Sequence, residues 1–557
     1  MGQDGAVTAD DEVLRARAEA WIADDPDPAS RDELSAVLAG LPGTADELAD
    51  RFAGPLTFGT AGLRGPLRAG PNGMNLAVVR AAAAGLVRWL AEQPDSDGPL
   101  VIGYDARHGS HAFAAETARV ATGAGRRALL LPRPLPTPVL AYAVRALGAA
   151  AGVMVTASHN PPRDNGYKVY LGAGVGGELG AGAQIVPPAD AGIEAAIRAV
   201  GPLSAVPLGP DGEILGEDVL EGYLDGAVAV VAPGGARELG VAYTPMHGVG
   251  GPVLVEAFRR AGFAAPAVVP EQAEPDPDFP TVAFPNPEEP GAIDLAAALG
   301  ASTGADIVVA NDPDADRCAV AVPDPATGEP ADKPAGWRML RGDEVGVLLA
   351  DQLMRRGTRG RYATTIVSST MLRALCAARD LPYAETLTGF KWIVRAGDSL
   401  VFGYEEALGY AVAPEHVRDK DGITAALLVA ELAASLRADG RTLVDRLAEL
   451  ATEFGRYATD QLAVRVTDLG EIGTMMARVR ATPPATLLDR AVTVTDLQPD
   501  ADVLTLTADG LRVVIRPSGT EPKLKAYLEV VVAADTDPAG PLGTLRAEIA
   551  AALGVPG

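Results

Sequence analysis

Three aspartates alternate in the stretch NDPDADRCAVAV. Asp312, Asp314 and Asp316 follow directly on an apolar run at 307–309 that reads as a strand. In an extended segment, residues two apart project to the same side, and three carboxylates on one side repel one another unless a cation sits among them. The spacing starts like an EF-hand, but that loop needs Gly at its sixth position and Glu at its twelfth. Arg317 and Pro323 stand there instead. Hard oxygen ligands without thiol or imidazole suit Mg²⁺, with phosphate and water completing its shell, and disfavour Zn²⁺. An acidic surface turn is the competing reading.

A second stretch, GVMVTASHNPPRDNGYKVY, runs from Gly152 to Tyr170. Its strand-like run at 153–156 delivers Ser158 into a stiff polar loop. A hydrolase elbow would need glycines two residues either side of the serine. Thr156 and Asn160 occupy those positions. A plain turn remains the alternative, since Pro and Asn-Gly serve turns for backbone reasons alone. A third stretch, VVIRPSGTEPKLKAY, is an apolar strand ending in Arg516, followed by Ser518, Gly519 and Thr520. A guanidinium, two hydroxyls and backbone N–H groups around a glycine make a phosphate cradle. It is not a Walker A loop, whose GxxxxGK[ST] pattern is absent.

Weaker signals lie between these. FGTAGLRG lacks Rossmann spacing but offers Arg64 as a phosphate ligand. YEEALGY sets Glu405 and Glu406 in a loop, and a carboxylate can accept paired hydrogen bonds from sugar hydroxyls. TGFKWI offers Lys391, and HVRDKDG offers Arg418 and Lys420. His247 in YTPMHGVGG reads as a histidine satisfying backbone groups at a strand-to-helix turn.

The elements that must carry these residues alternate. Strands are predicted over 100–104, 127–131 and 152–156, with helices over 112–122 and 137–147. The alternation restarts with strands at 239–243, 267–269 and 307–309, and again beyond 343. One long helical run covers 422–450. Past 457 the strands read as antiparallel, and 13–56 reads as helical with polar breaks. The expected fold is α/β: three consecutive α/β domains with mixed, mostly parallel sheets plus a C-terminal α+β domain, around a central cleft. The expected boundaries are 1–212 with the serine loop, 213–324 with the aspartate loop, 325–454 with the paired acids, and 455–557 with the phosphate cradle.

Composition narrows the partners. Lys+Arg 47 against Asp+Glu 73 leaves a net charge of −26. Such a body repels nucleic acid and anionic lipid, so an anionic ligand needs a locally basic cleft. Cys318 and Cys376 each have apolar neighbours and read as buried thiols. The first residues are acidic without an apolar core, and no apolar run reaches membrane-spanning length. A cytoplasmic location is expected, with no nucleic acid or membrane partner, as a monomer or homodimer.

Taken together and in order, TASHNPP, DPDADR, YEEALG and RPSGTEP resemble the α-D-phosphohexomutase superfamily, the phosphoglucomutase/phosphomannomutase family. The wider wording, FGTAGLRG, YTPMHGVG, TLTGFKWI and GAQIVPP, is most similar to its branch with phosphopentomutase activity. The resemblance implies a phosphosugar mutase that moves phosphate between C1 and C6, or C5 of a pentose. It implies Ser158 as phosphoserine, with Mg²⁺ shared between it and Asp312, Asp314 and Asp316. It implies acid-base help from His159 and Lys168, and phosphoryl stabilisation by Arg64 and Arg317. Lys391 would contact the sugar phosphate and Glu405 the sugar hydroxyls, with Arg418 and Lys420 adding positive charge. Arg516, Ser518, Gly519 and Thr520 would clamp the distal phosphate. A sugar bisphosphate such as glucose 1,6-bisphosphate is the implied activator and a sugar phosphate the ligand. The resemblance departs at Ala407, where the hexose branch carries Ser, which implies a broader sugar range. Two rivals differ in class: an aspartyl-phosphate enzyme using Asp312, whose DxDx[TV] pattern is broken by Asp316, and a non-catalytic sugar-phosphate binder.

Overall fold

The structure, a computed structural model, describes residues 9–59, 61–323, 336–468, 470–519 and 523–555. Four sheets of four or more strands organise them. In the first, Leu100–Tyr104 and Ala151–Val155 are parallel neighbours, with Tyr104 opposite Val155. Both strands are buried at every position. A strand covered on both faces needs an unbroken apolar run, which LVIGY and AGVMV supply. Parallel alignment sends both carboxyl ends to one edge, so the loops after them lie side by side. The Asp105 N–H donates to the Val155 carbonyl at 3.1 Å. Asp164–Leu171 then returns antiparallel beside Ala151–Val155, and Leu63–Pro66 pairs with it at the edge.

The second sheet sets Ile307–Ala310 parallel to Val241–Thr244 and antiparallel to Ala319–Pro323. The aspartate stretch is the turn between Ile307–Ala310 and Ala319–Pro323. The third sheet sets Arg361–Thr365 between two parallel partners, Tyr383–Thr386 and Leu400–Glu405. Gly409–Ala411 folds back on Leu400–Glu405, so YEEALG is a hairpin turn. The fourth sheet is wholly antiparallel, with Leu511–Pro517 paired to Lys523–Val532. The expected class, three mixed α/β units and one α+β unit, is the observed one.

Two edge strands lie just past expected junctions. Glu213–Ile214, past the expected junction at 212, pairs with Ala128–Leu130 and completes the first sheet. Trp337–Met339, past 324, pairs with Ala319–Pro323 and completes the second. Both are two- or three-residue edge strands, too short to show a period. The single helical run expected over 422–450 is two helices, Gly422–Ala438 and Leu443–Phe454. Gly440 at φ +69 turns the chain between them. Thr442 and Asp445 form a capping box that restarts the helix. The first of the pair is buried on nearly every side, as a helix at the centre of several layers must be.

One continuous apolar core joins the first three units, through residues such as Leu140, Phe258, Val309, Leu348 and Leu427. The fourth unit has its own core around Val513, Leu528 and Ile549. It meets the third through a small cluster of Val367, Val503, Val514 and Tyr527. Polar clasps flank that cluster. The Thr370 N–H donates to Glu529 Oε2 at 2.8 Å, and Arg512 Nη1 donates to Glu385 Oε1 at 2.9 Å. A cavity of about 490 Å³ lies between the second, third and fourth units, lined by Glu288, Glu406 and Tyr527 among others.

Candidate active site

Ser158 sits where the buried strand Ala151–Val155 ends. Its backbone adopts φ +53, a left-handed conformation rare for a residue with a Cβ. Its N–H donates to Thr156 Oγ1 at 2.9 Å. The side chain is thereby turned across the boundary to the second unit, where Ser158 Oγ donates to Asp312 Oδ2 at 2.9 Å. His159 Nδ1 lies 3.2 Å from the same Oγ. Burial, reinforced by the Arg317 and Arg64 cations, pushes the His159 imidazole well below its ordinary range.

Asp312, Asp314 and Asp316 are all buried, and an oxygen from each falls within 4.8 Å of the others. Lys168 Nζ, on Asp164–Leu171, donates to Asp314 Oδ2 at 2.8 Å and to Asp316 Oδ2 at 3.2 Å. Burial opposes the Lys168 charge, but these two carboxylates outweigh it and its pKa is raised. Lys420 Nζ stands 3.3 Å from Asp316 Oδ2. Thr137 fixes the turn from the first unit: its N–H donates to the Asp314 carbonyl at 2.9 Å and its Oγ1 to Asp314 Oδ2 at 2.7 Å. For Asp312, burial and the neighbouring Asp314 and Asp316 push the pKa well up. Oδ1 of Asp314 and Oδ1 of Asp316 have no hydrogen-bond donor although both are buried. A turn with orphaned carboxylate oxygens and no soft ligand fits a small, hard metal ion.

Around this centre stand the other residues singled out from the sequence. Arg64 Nη1 donates to Asn160 Oδ1 at 3.0 Å, which ties it to the serine loop. Its approach depends on Gly62 at φ +76, where a Cβ would meet the Tyr167 carbonyl at 1.8 Å. Arg317 Nη1 pairs with Glu288 Oε2 at 3.4 Å, and its Nε is 4.0 Å from Asp312 Oδ2. Arg317 also bridges Gly409 of the hairpin turn, so second and third units touch at the site. Burial pushes the Glu405 carboxyl up to about 7, against the pull of Lys420. The HVRDKDG loop is held by Asp419, which accepts from Tyr170 Oη at 2.8 Å and Gln184 Nε2 at 3.0 Å. That turns Lys420 toward Asp316, while Arg418 Nη1 donates away from it, to the Val394 carbonyl at 3.2 Å. Lys391 lies on the short helix Phe390–Ile393 beside that carbonyl, and burial pushes its ammonium down to about 8.

Arg516 ends the strand Leu511–Pro517. The Ser518 N–H donates to the Lys523 carbonyl at 2.8 Å, closing the loop that also holds Gly519. Thr520 lies outside the described residues. Burial pushes the Tyr527 phenol up, and Glu406 of the hairpin turn and Arg516 both act on it. Ser158, His159, Lys168, Arg64, the three aspartates, Arg317, Lys420 and Glu405 thus form one cluster. Lys391 and Arg418 form a second group in the third unit, and Arg516 with Ser518 and Gly519 a third group in the fourth. His247 donates or accepts at Thr281 Oγ1, 2.9 Å away, and takes no part. Thr137, Glu288 and Arg107 were not picked out from the sequence. Only Arg107 left a trace there, as a charged residue just past a buried strand that neighbours the serine strand.

Comparison with known proteins gives the family. Residues 55–200, 221–327 and 341–454 match the phosphoglucomutase/phosphomannomutase alpha/beta/alpha domains I, II and III, and 462–537 the C-terminal domain of that family. The chain is 46% identical over 467 residues to "Probable phosphomannomutase" of Haemophilus influenzae, covering 82% of this chain and 93% of that one. It is 35% identical over 477 residues to "Phosphopentomutase" of Mus musculus, covering 78% and 73%. Among solved structures, a "putative phosphomannomutase" from Thermus thermophilus superposes with a TM-score of 0.71 at 27% identity, over 90% of this chain and 99% of that one. The chain belongs to the phosphoglucomutase/phosphomannomutase family of the α-D-phosphohexomutase superfamily, and is a phosphosugar mutase.

Proposed function

We propose that the enzyme moves phosphate between C1 and the terminal carbon of an aldose, C6 of a hexose or C5 of a pentose, with Ser158 as carrier. In the first transfer the bond from Ser158 Oγ to phosphorus breaks as a sugar hydroxyl oxygen bonds to that phosphorus. The hydroxyl proton passes through His159, the imidazole nearest Oγ, to the departing Ser158 oxygen. Arg64 and Arg317 stabilise the equatorial oxygens of the moving group, and the Lys168 ammonium adds positive charge. Asp312, Asp314 and Asp316 would hold Mg²⁺ together with phosphoserine, and the ion would withdraw charge from the phosphoryl group. The bisphosphorylated sugar then turns over, and in the second transfer the bond from its other phosphorus to the sugar oxygen breaks as Ser158 Oγ bonds to that phosphorus, the Ser158 proton passing through His159 to the freed sugar oxygen. Glu405 accepts from sugar hydroxyls. Lys391, Arg418 and Lys420 supply positive charge in the third unit. Arg516, Ser518, Gly519 and Thr520 hold the distal phosphate. A bisphosphate such as glucose 1,6-bisphosphate primes Ser158.

The contact of 2.9 Å between Ser158 Oγ and Asp312 Oδ2 carries this reading, because it sets the carrier against the acidic cluster. The sugar range is proposed to be broad. The relatives bear names from a hexose and a pentose mutase, and Ala407 offers no hydroxyl at the tip of the sugar turn. A kinetic panel of glucose, mannose and ribose 1-phosphates, with Mg²⁺ and a bisphosphate, tests it. Turnover of both hexose and pentose phosphates with one phosphate on Ser158 by intact mass supports it. Turnover of ribose 1-phosphate alone would make the enzyme a phosphopentomutase, and a phosphate on Asp312 would replace the serine carrier.

A further inference from the structure

Four backbone carbonyls of the serine loop converge on one side chain from a different loop. Arg107 Nη2 donates to the Ser158 and Asn160 carbonyls, both at 2.6 Å. Its Nη1 donates to the Pro161 carbonyl at 2.8 Å and the Asp164 carbonyl at 3.3 Å. Its Nε stands 3.5 Å from Asp105 Oδ2. Asp105 is held in turn by the Arg107 N–H at 3.0 Å and Ser110 Oγ at 2.6 Å. The guanidinium is buried, and its hydrogen bonds reach the proposed chemistry through the Ser158 carbonyl.

The other face of the guanidinium reaches the second unit. Its carbon lies 4.9 Å from the ring centre of Phe279, itself buried. Next to it His108 Nε2 meets Asp278 Oδ1 at 2.8 Å. One planar cation is therefore shared between the loop that carries Ser158 and the unit that carries Asp312. A left-handed serine followed by two prolines has few N–H groups with which to fix itself. Carbonyl convergence on a fork of fixed geometry supplies what the loop's own hydrogen bonds do not.

We propose that Arg107 is a positioning residue for phosphoryl transfer. With Phe279 behind it, it sets the Ser158 backbone against the acidic cluster. This rests on Ser158 being the carrier. Lysine keeps the charge but cannot span four carbonyls and stack on a ring, so Arg107→Lys isolates geometry from electrostatics.

The test follows single-turnover phosphorylation of Ser158 by glucose 1,6-bisphosphate, by intact mass, in the full-length enzyme with Mg²⁺, beside steady-state kcat and KM. Arg107→Lys should slow transfer about a hundredfold, the usual effect of a misplacement near 1 Å. KM for the sugar phosphate should stay within about twofold and the far-ultraviolet spectrum should be unchanged, a split that general destabilisation would not give. Phe279→Leu keeps every hydrogen bond and removes the stack, and should slow transfer by about tenfold, again with KM unchanged. A folded Arg107→Lys enzyme within about threefold of wild type overturns the proposal. If that variant does not fold, Phe279→Leu decides, and a wild-type transfer rate in it overturns the proposal. A wild type that takes no phosphate on Ser158 overturns the carrier assignment and this inference with it. A phosphorylated wild type beside an equally fast variant overturns the positioning role alone.

Discussion

The hydroxyl of Ser158 and the carboxylate of Asp312 are 154 residues apart in sequence and 2.9 Å apart in space. They meet because two buried strands of different sheets end at the same place. Ala151–Val155 delivers the serine and Ile307–Ala310 the aspartate. Thr137, at the start of the helix Thr137–Ala146, straps the aspartate turn to the first unit. A continuous core beneath both turns keeps the gap short.

Ser158→Ala should abolish turnover, by at least about a thousandfold. The hydroxyl of Thr137 also meets the acidic cluster, but it is buried and committed to Asp314, so it cannot replace the serine. Binding of glucose 1-phosphate, read by calorimetry, should change by no more than a few-fold. Retained turnover in this variant would reject a serine carrier.

Removal of the metal should stop the reaction without unfolding the protein. The orphaned Oδ1 atoms of Asp314 and Asp316 have no donor to replace an ion, whereas Lys168 and Lys420 already neutralise part of the cluster. EDTA is expected to abolish turnover and Mg²⁺ to restore it. Added Mg²⁺ should also raise the melting temperature through binding to the folded state alone. Full turnover in excess EDTA would rule the ion out.

Much of this site was legible in the sequence because its polar residues sit directly at the ends of apolar runs. The strand Leu100–Tyr104 was read to the residue, and the aspartate and serine loops each follow such a run. The split of the helical run at Gly440 and the Thr442 cap has a local cause, the polar stretch RADGRT, masked by the apolar runs on either side. Less legible were features whose cause is tertiary. Edge strands of two or three residues, Glu213–Ile214 and Trp337–Met339, have no period to detect. Arg107 and Thr137 act through backbone carbonyls or across units, and neither leaves a motif.

The pH dependence of stability should carry a contribution from Asp343. It is buried beside the fourth unit, where its Oδ1 accepts from the Ser369 N–H at 2.7 Å and Tyr404 Oη at 3.1 Å. Burial pushes its carboxyl up to about 7. An unfolded aspartate titrates near 4. Between those values the folded chain keeps a proton that the unfolded chain has lost, so this group's contribution falls as pH rises through that window and is gone above about 7. The full span is on the order of 4 kcal/mol. Asp343→Asn should therefore gain stability relative to wild type between pH 5 and pH 8, in denaturant titrations at each pH. An equal difference at the two pH values would contradict this.

Ala407 should set how sharply the enzyme separates hexose from pentose. It is half-buried in the turn between Leu400–Glu405 and Gly409–Ala411, two residues from Glu405, which faces Lys420 and Arg317. A serine there would present a hydroxyl on the same turn as the proposed sugar-binding carboxylate. One such hydrogen bond contributes on the order of 1 kcal/mol, about fivefold in rate. That is enough to tilt a preference and too little to create or erase catalysis. Ala407→Ser should raise kcat/KM for glucose 1-phosphate about fivefold relative to ribose 1-phosphate, with the melting temperature nearly unchanged. The measurement is the ratio of the two kcat/KM values in wild type and variant, on matched preparations with Mg²⁺ and the same bisphosphate. A wild type that already favours glucose 1-phosphate by several orders of magnitude, with a ratio the substitution leaves alone, would show that the sugar is selected elsewhere in the cleft.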